Sequence, residues 1–298
     1  IKGLLNCIKI AIYLKQLDVD LIHSFHYAPD YSEALAAKIA GIPWIYTKKN
    51  MNWGGLSKNG WKLRTFLAKH IIAQNNTMLK QFFPKSKKTS KIPRGVNVKE
   101  FNYQPPNKDI RMKIGIAKKE KVIITVANLS PVKGIELLLE SFEELFKKNE
   151  NIHLIIVGDT NNEYAQELKN NIINYKSKNK IHFSGKVNNV KEYYSISHVF
   201  VLPSKKESCP VALLEAIAFG LPIIASDIPG NREILNNFNN NLFPLNSKIN
   251  LIKKLSDILF NVMMPLEDNN LLKSTIRNFF NIELEVKRHE QLYLSILN

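Results

Sequence analysis

Short apolar runs alternate along the chain with longer segments whose apolar residues recur every three to four positions, the pattern of β-α units. Residues 1–17 set Leu4, Leu5, Ile8, Ile12 and Leu17 near helical spacing and predict an amphipathic helix. Residues 19–25 predict a buried strand, and 29–40 a helix ended by Gly41 and Pro43. A strand over 44–47 is followed by a polar loop over 48–60 with Gly54, Gly55 and Gly60. Residues 61–69 predict a helix, 70–73 a strand and 75–82 a helix. The proline- and lysine-rich stretch 84–109 reads as a connector.

Beyond the connector the alternation resumes. Strands are predicted at 122–127, 153–157, 181–184, 199–202 and 222–226, with a weaker one at 242–244. Helices fall near 134–148, 161–177, 189–196, 210–219, 230–236, 247–263 and 281–297. This order predicts an α/β protein of two Rossmann-like domains with parallel sheets. The first domain is read as 1–104 and the second as 105–280, with 281–298 a terminal helix free to pack back toward the first. The second series is complete, whereas the first is short at its N-terminus.

The densest chemistry lies between Pro203 and Leu235. An apolar helix over 210–219 can be capped by Ser208, accepts Pro210 in its first turn, and stops at Gly220 before Pro222. Val211, Leu213, Leu214, Ile217 and Phe219 leave it no polar face, so burial on most sides is expected. Glu215 nevertheless sits in its middle, eight residues after Glu207. A buried carboxylate is costly unless paired, so Glu215 either bonds protein groups, reaches the surface or serves a ligand. The second carboxylate and a helix N-terminus suited to anions favour a ligand carrying both hydroxyls and a phosphate.

Doubly wound sheets bind ligands at the carboxyl ends of their strands. Three such loops, 128–134, 184–187 and 203–210, carry the candidate residues. Lys133, beside Gly134 and just ahead of a helix, is either a solvated turn lysine or a phosphate partner, and its place favours the second. Neither Gly-x-Gly-x-x-Gly nor a Walker A pattern occurs, so a nicotinamide fingerprint and a P-loop are unsupported.

Composition adds partners rather than fold. The 298 residues suffice for two cores, and 45% hydrophobic with 23% charged residues is ordinary for a globular protein. Cys7 and Cys209 match no metal or CxxC spacing, which fits a reducing compartment. No apolar run approaches the length of a membrane span. Of the formal charge of +16, residues 1–104 hold 17 Lys or Arg against 5 Asp or Glu, and the remainder 25 against 21. That asymmetry suits an anionic partner for the first half, a membrane surface, nucleic acid or acidic substrate. It also fits a lysine-, asparagine- and isoleucine-rich composition throughout. Nucleic acid is not expected, because no recognition motif is present.

The pattern Glu207–x7–Glu215 within LLEAIAFGLPIIASDIPGNREI resembles the signature of the retaining glycosyltransferases of family four. ANLSPVKGIELLLESF at 127–142, HLIIVGD at 153–159, FSGKVNNV at 183–190 and VFVLPSKKES at 199–208 support the resemblance. VDLIHSFHYAPDYSEALAAKIAGIPWIYT at 19–47 and IPRGVNVKEF at 92–101 extend it into the first domain. It implies the GT-B fold and a nucleotide-sugar donor. Lys133 would then neutralise the donor diphosphate, Glu207 would face the transferred sugar, and Glu215 would accept hydrogen bonds from the ribose. The amides of Ser208, Cys209, Pro210 and Val211 would lie near sugar and phosphate, less the one proline lacks, with Gly185 and Lys186 near the base. No metal or other cofactor is expected, Lys133 partly replacing a divalent ion.

Three features depart from the family pattern. Asn128 stands where an Arg is usual, a weaker electrostatic partner that still donates a hydrogen bond. Lys48, Lys49, Asn50 and Met51 occupy the stretch where the family often has a His, and His23 and His26 read as structural. The chain does not begin with Met, and about two β-α units, on the order of 60 residues, are expected to be absent from a full first domain.

The expected function is transfer of a sugar to an envelope lipid or polysaccharide acceptor at the cytoplasmic face of the membrane. Segment 85–91 and the helix at 61–69 are candidate contacts with an anionic membrane. The alternatives are a sugar-nucleotide epimerase or hydrolase, a donor-binding module without catalysis, and a basic nucleic-acid binder.

Overall fold

The computed structural model describes residues 3–25, 30–52, 58–236, 238–261 and 266–298; His26, Gly54 and Gly55 lie outside them. The chain divides into two compact units, Ile1–Arg94 with Glu283–Asn298, and Gly95–Ile282. The boundary falls at 94/95 rather than 104/105, and the terminal helix is counted with the first unit. At this boundary the two passages of the chain run side by side: the Val96 amide donates to the Phe280 carbonyl at 2.8 Å, and that of Ile282 to the Val96 carbonyl at 3.0 Å.

The first unit runs α1 (Leu4–Gln16), β1 (Ile22–Ser24), α2 (Ser32–Ala40), β2 (Trp44–Lys48), α3 (Lys58–Leu67), β3 (His70–Ala73), α4 (Asn76–Phe82) and β4 (Thr89–Lys91). Its strands are parallel and lie in sequence order. On one face Trp44, Tyr46, Ile71 and Ala73 pack with Ala34, Trp61, Met78 and Phe82 of the connecting helices. On the other, Ile45, Ile72 and Ile92 meet Leu292, Tyr293 and Ile296 of the terminal helix. The connector expected over 84–109 therefore contains a strand, β4, which extends the sheet at its edge.

The second unit runs α5 (Lys108–Ile114), β5 (Lys121–Val126), α6 (Ile135–Phe146), β6 (Ile152–Val157), α7 (Glu163–Asn171) and β7 (Ile181–Gly185). It continues with α8 (Val190–Ser195), β8 (Val199–Leu202), α9 (Val211–Phe219), β9 (Ile223–Ser226), α10 (Pro229–Ile234) and β10 (Leu242–Phe243). Then come α11 (Lys248–Ser256) and α12 (Leu266–Phe279), after which the chain returns to the first unit in the terminal α13 (Ile282–Leu297). The sequence pattern did not predict α5 or α12. Asparagine side chains cap α4, α5 and α7 by accepting the Met78, Ile110 and Ala165 amides.

The six parallel strands of this unit stand in the order β10-β9-β8-β5-β6-β7. Helices cover both faces, which is why the strands read as continuous apolar runs. Val122, Ile124, Ile155 and Phe200 pack toward α9 and α12, while Ile123, Leu154, Ile156 and Val199 pack toward α6, α7 and α11. The chain winds outward from β5 to β7, then returns to β5's other side at β8. That reversal opens a crevice between the loops that follow β5 and β8.

Candidate active site

After β5 the chain makes a tight turn at Pro131–Lys133 and enters α6 through Gly134, whose φ is 64°. The turn is held against the loop after β8 by a 2.7 Å bond from the Lys205 amide to the Val132 carbonyl. A Cβ on Gly134 would lie 2.4 Å from the Pro203 carbonyl oxygen, so only glycine permits the two loops to touch. This contact aims Lys133 across the crevice. Its Nζ lies 2.7 Å from Glu207 Oε1, and Ser204 Oγ donates to the same oxygen at 2.8 Å. The two charged side chains are only 21% and 11% exposed. Two residues expected to meet a donor are bonded here to each other.

The other side of the Glu207 loop is held just as closely. A Cβ on Gly230, in the first turn of α10, would come within 2.4 Å of the Glu207 carbonyl oxygen. Buried Asn231 donates to the Ser226 carbonyl at 2.8 Å, and Ser226 Oγ donates to the Ser204 carbonyl. The floor of the crevice is thereby tied to β9.

Ser208 is half-buried, and Cys209 and Pro210 are buried. The helix begins one residue later than the sequence suggested. Pro210 is the extended residue ahead of α9 and, being a proline, offers the helix no side-chain cap of its own. The Leu213 and Leu214 amides turn back to the Pro210 carbonyl at 3.2 and 3.3 Å, leaving Val211 to lead the positive end of the helix dipole beside the Lys133–Glu207 pair's loop.

Glu215 sits one turn further along α9, partly buried. Its Oε2 is 3.4 Å from the Tyr194 hydroxyl. Burial pushes its carboxyl up to about 7; the Tyr194 hydroxyl opposes that rise and the charge of Glu100 adds to it. Asn128, after β5, is exposed, and its carbonyl accepts from Ser130 Oγ at 3.4 Å. Gly185 ends β7, its carbonyl accepting the Gly158 amide at 3.0 Å, and Lys186 beyond it is exposed. All these positions lie on the carboxyl edge of one sheet.

In the first unit, Lys48 ends β2, in the stretch that departs from the family's histidine. Its side chain is buried, donates to the Asn50 carbonyl at 2.9 Å, and faces the Trp61 and Phe82 rings at 4.9 and 4.4 Å. Burial brings its amine down to about 8. His23 is bonded through Nδ1 to the Tyr293 hydroxyl at 2.6 Å and through Nε2 to Thr47 Oγ1 at 2.8 Å. Burial, with His289 and Lys49 nearby, holds its ring neutral down to about 4. Both groups serve the interior of the first unit. Among the described residues, no three His, Cys, Asp or Glu gather as metal ligands, and no helix is long and apolar enough to cross a membrane.

Ser204, Tyr194 and Gly230 escaped the sequence reading. Tyr194 is one of two adjacent tyrosines in a polar helix, 21 residues from the glutamate it approaches. Nothing local marks it.

The region that builds this crevice, residues 106–272, matches the family model described as Glycosyl transferases group 1, more than half of the chain. The chain belongs to the glycosyl transferases group 1. Over its whole length this glycosyltransferase is 28% identical to the UDP-Gal:alpha-D-GlcNAc-diphosphoundecaprenol alpha-1,3-galactosyltransferase of Escherichia coli, and spans 81% of it. It is 29% identical to the capsular polysaccharide biosynthesis glycosyltransferase CapH of Staphylococcus aureus, over 75% of this chain and 58% of that one. With the alpha-monoglucosyldiacylglycerol synthase of Streptococcus pneumoniae it shares 28% identity over 46% of its length and 32% of the relative's. Among solved structures, a glycosyltransferase from Rickettsia africae superposes with a TM-score of 0.87 at 22% identity, covering 100% of this chain and 83% of that one. Anabaena Alr3699/HepE in complex with UDP gives 0.82 at 19% identity, covering 96% and 81%. The group 1 glycosyltransferase thus has the α/β fold of the GT-B enzymes, with two parallel sheets.

Proposed function

We propose that this glycosyltransferase moves a sugar, with retention of configuration, from a nucleoside-diphosphate sugar to a lipid-linked or polysaccharide acceptor of the cell envelope, as a retaining enzyme of family four. The observation that carries the reading is the meeting of Lys133 and Glu207 at 2.7 Å in the switch-point crevice, beside the N-terminus of α9. Breaking the anomeric C–O bond leaves negative charge on a diphosphate, which a cation and a helix N-terminus stabilise as it grows. In the donor complex Lys133 exchanges Glu207 for the diphosphate. Glu207, still bonded by Ser204, turns to the sugar. Ionised Glu215 accepts the ribose hydroxyls, Asn128 donates to the phosphates, and Gly185 with Lys186 borders the base. No step needs a metal.

The acceptor class is supported by the relatives, named for a diphosphoundecaprenol-linked sugar, a diacylglycerol glycolipid and a capsular polysaccharide. The reading of a peripheral position on the cytoplasmic face of the membrane is supported by such acceptors and by the basic first unit.

Isothermal calorimetry with UDP and uridine tests the site. Lys133→Ala should weaken UDP binding by ~1.5–3 kcal/mol, the range for hydrogen bonds to charged groups, and barely change uridine binding. Equal losses for both would remove Lys133 from the phosphates. Turnover that requires an added lipid-linked acceptor distinguishes transfer from epimerisation or hydrolysis.

A further inference from the structure

We propose that Tyr194 is a positioning residue that sets the proton on Glu215, and thereby the pH range over which the donor ribose is held. The proposal rests on Glu215 as the ribose ligand.

Helix α8 carries Tyr194 beneath α9, fully buried. Its ring is enclosed by Phe101, Phe200 and Phe219, with centroids 6.5, 6.1 and 5.8 Å away. So confined, its hydroxyl has one proton and two acceptors in reach, Glu215 Oε2 and the Ala212 carbonyl, both at 3.4 Å. Both distances are long for a hydroxyl, which prefers about 2.7–2.8 Å, so the proton is committed to neither. An ionised Glu215 attracts it more strongly than a carbonyl does; a protonated Glu215 leaves it to Ala212. Tyr194 therefore favours the ionised carboxylate.

Glu100 acts in the opposite sense. It precedes Phe101, which packs on Tyr194, and its charge disfavours a second carboxylate nearby. Lys191 of α8 offsets part of that charge, its Nζ 3.7 Å from Glu100 Oε1. Strands β8 and β9, which pack against α9, carry no ionisable side chain. Helix α12 places Lys273 at the far end of α9, where its Nζ would lie 2.4 Å from a Cβ on Gly220. Burial has brought Glu215 to about 7, so these modest influences act where they decide its charge. The distinction matters to a ribose: the carboxylate accepts from two hydroxyls at once, whereas the acid commits one oxygen to its own proton.

Calorimetry with UDP and 2′,3′-dideoxy-UDP across neutral pH isolates the term, because the ratio of their affinities cancels titration of the phosphates. In the unaltered protein the ratio should rise with pH about a midpoint near 7. Tyr194→Phe should move that midpoint up by about one pH unit, and Glu100→Gln should move it down. Dideoxy-UDP affinity should stay unchanged in both. A Tyr194→Phe midpoint that does not move, or equal loss of dideoxy-UDP binding, overturns the proposal and leaves Tyr194 a packing residue. If Glu215→Gln abolishes the ratio while Tyr194→Phe leaves its midpoint in place, only the proposal falls. If the unaltered protein shows no ratio, the ribose role of Glu215 falls with it.

Discussion

Lys133 and Glu207 face competing demands. With little water around either group, removing one partner leaves the other charge poorly solvated, so the pair stabilises the unliganded crevice. In the proposed donor complex the diphosphate draws Lys133 away from Glu207. A double-mutant cycle of Lys133→Met and Glu207→Gln, read by urea denaturation, should give a coupling of about 0.5–3 kcal/mol. Saturating UDP should shrink that coupling, because Lys133 is then held by phosphate. A coupling that UDP leaves untouched would mean that the ligand does not recruit this lysine. Asn128 enters here too: with no arginine at that position, Lys133 is the cation that the loop after β5 brings to the crevice.

At the scale of elements, the site depends on loops that touch through glycines. Gly230→Ala would press a methyl group to within 2.4 Å of the Glu207 carbonyl, a backbone atom that yields only by moving the loop. Displacement of a catalytic group by about 1 Å costs roughly 10²-fold in rate, so turnover should fall on that scale while the circular dichroism spectrum keeps its native shape. Turnover retained near the original level would show that the loop position is not critical. Helix α9 was legible because an all-apolar run with a proline before it and a glycine after it has few other destinations. Its glutamate stood out for the same reason. Strand β4, Thr-Ser-Lys, has no apolar alternation and is recruited by pairing with β3. Helix α12 buries Leu272 and Ile276, one turn apart among polar neighbours that dilute the 3.6-residue period, and α5 buries no residue fully and is marked chiefly by its Asn107 cap and Gly115 stop. Gly230 and Tyr194 were illegible for another reason: what they touch is remote in sequence.

Across the whole molecule, charge is divided between the units more sharply than mass. The first unit with Glu283–Asn298 holds 18 Lys or Arg against 7 Asp or Glu, the second 24 against 19, and no acidic residue occurs from Ala34 to Lys99. Not all of that charge faces outward, since Arg64 is buried over the Trp44 ring at 4.7 Å and Lys48 is buried as well. Exposed lysines stand on α1, α2 and α4, and others stand on and just beyond α3. On α3, Lys62, Leu63 and Phe66 share its outer face, Phe66 is 79% exposed, and exposed Lys69 follows two residues beyond its end. Lys88 donates to the Phe66 and Ala68 carbonyls at 2.9 and 2.7 Å, fixing the exposed Lys85 and Lys87 beside the end of the helix. A protruding aromatic ring ringed by lysines suits an anionic bilayer, where each lysine near the surface contributes ~1 kcal/mol. The protein should therefore sediment with phosphatidylglycerol vesicles and not with phosphatidylcholine vesicles, and 0.5 M salt, with a Debye length of roughly 4 Å, should release it. Reversing Lys62 and Lys69 to glutamate should weaken that binding at least about tenfold while leaving UDP affinity unchanged, since both residues lie outside the second unit. Equal binding to both vesicle types, or a double variant that still sediments, would remove the membrane from the account and leave the donor crevice as it stands.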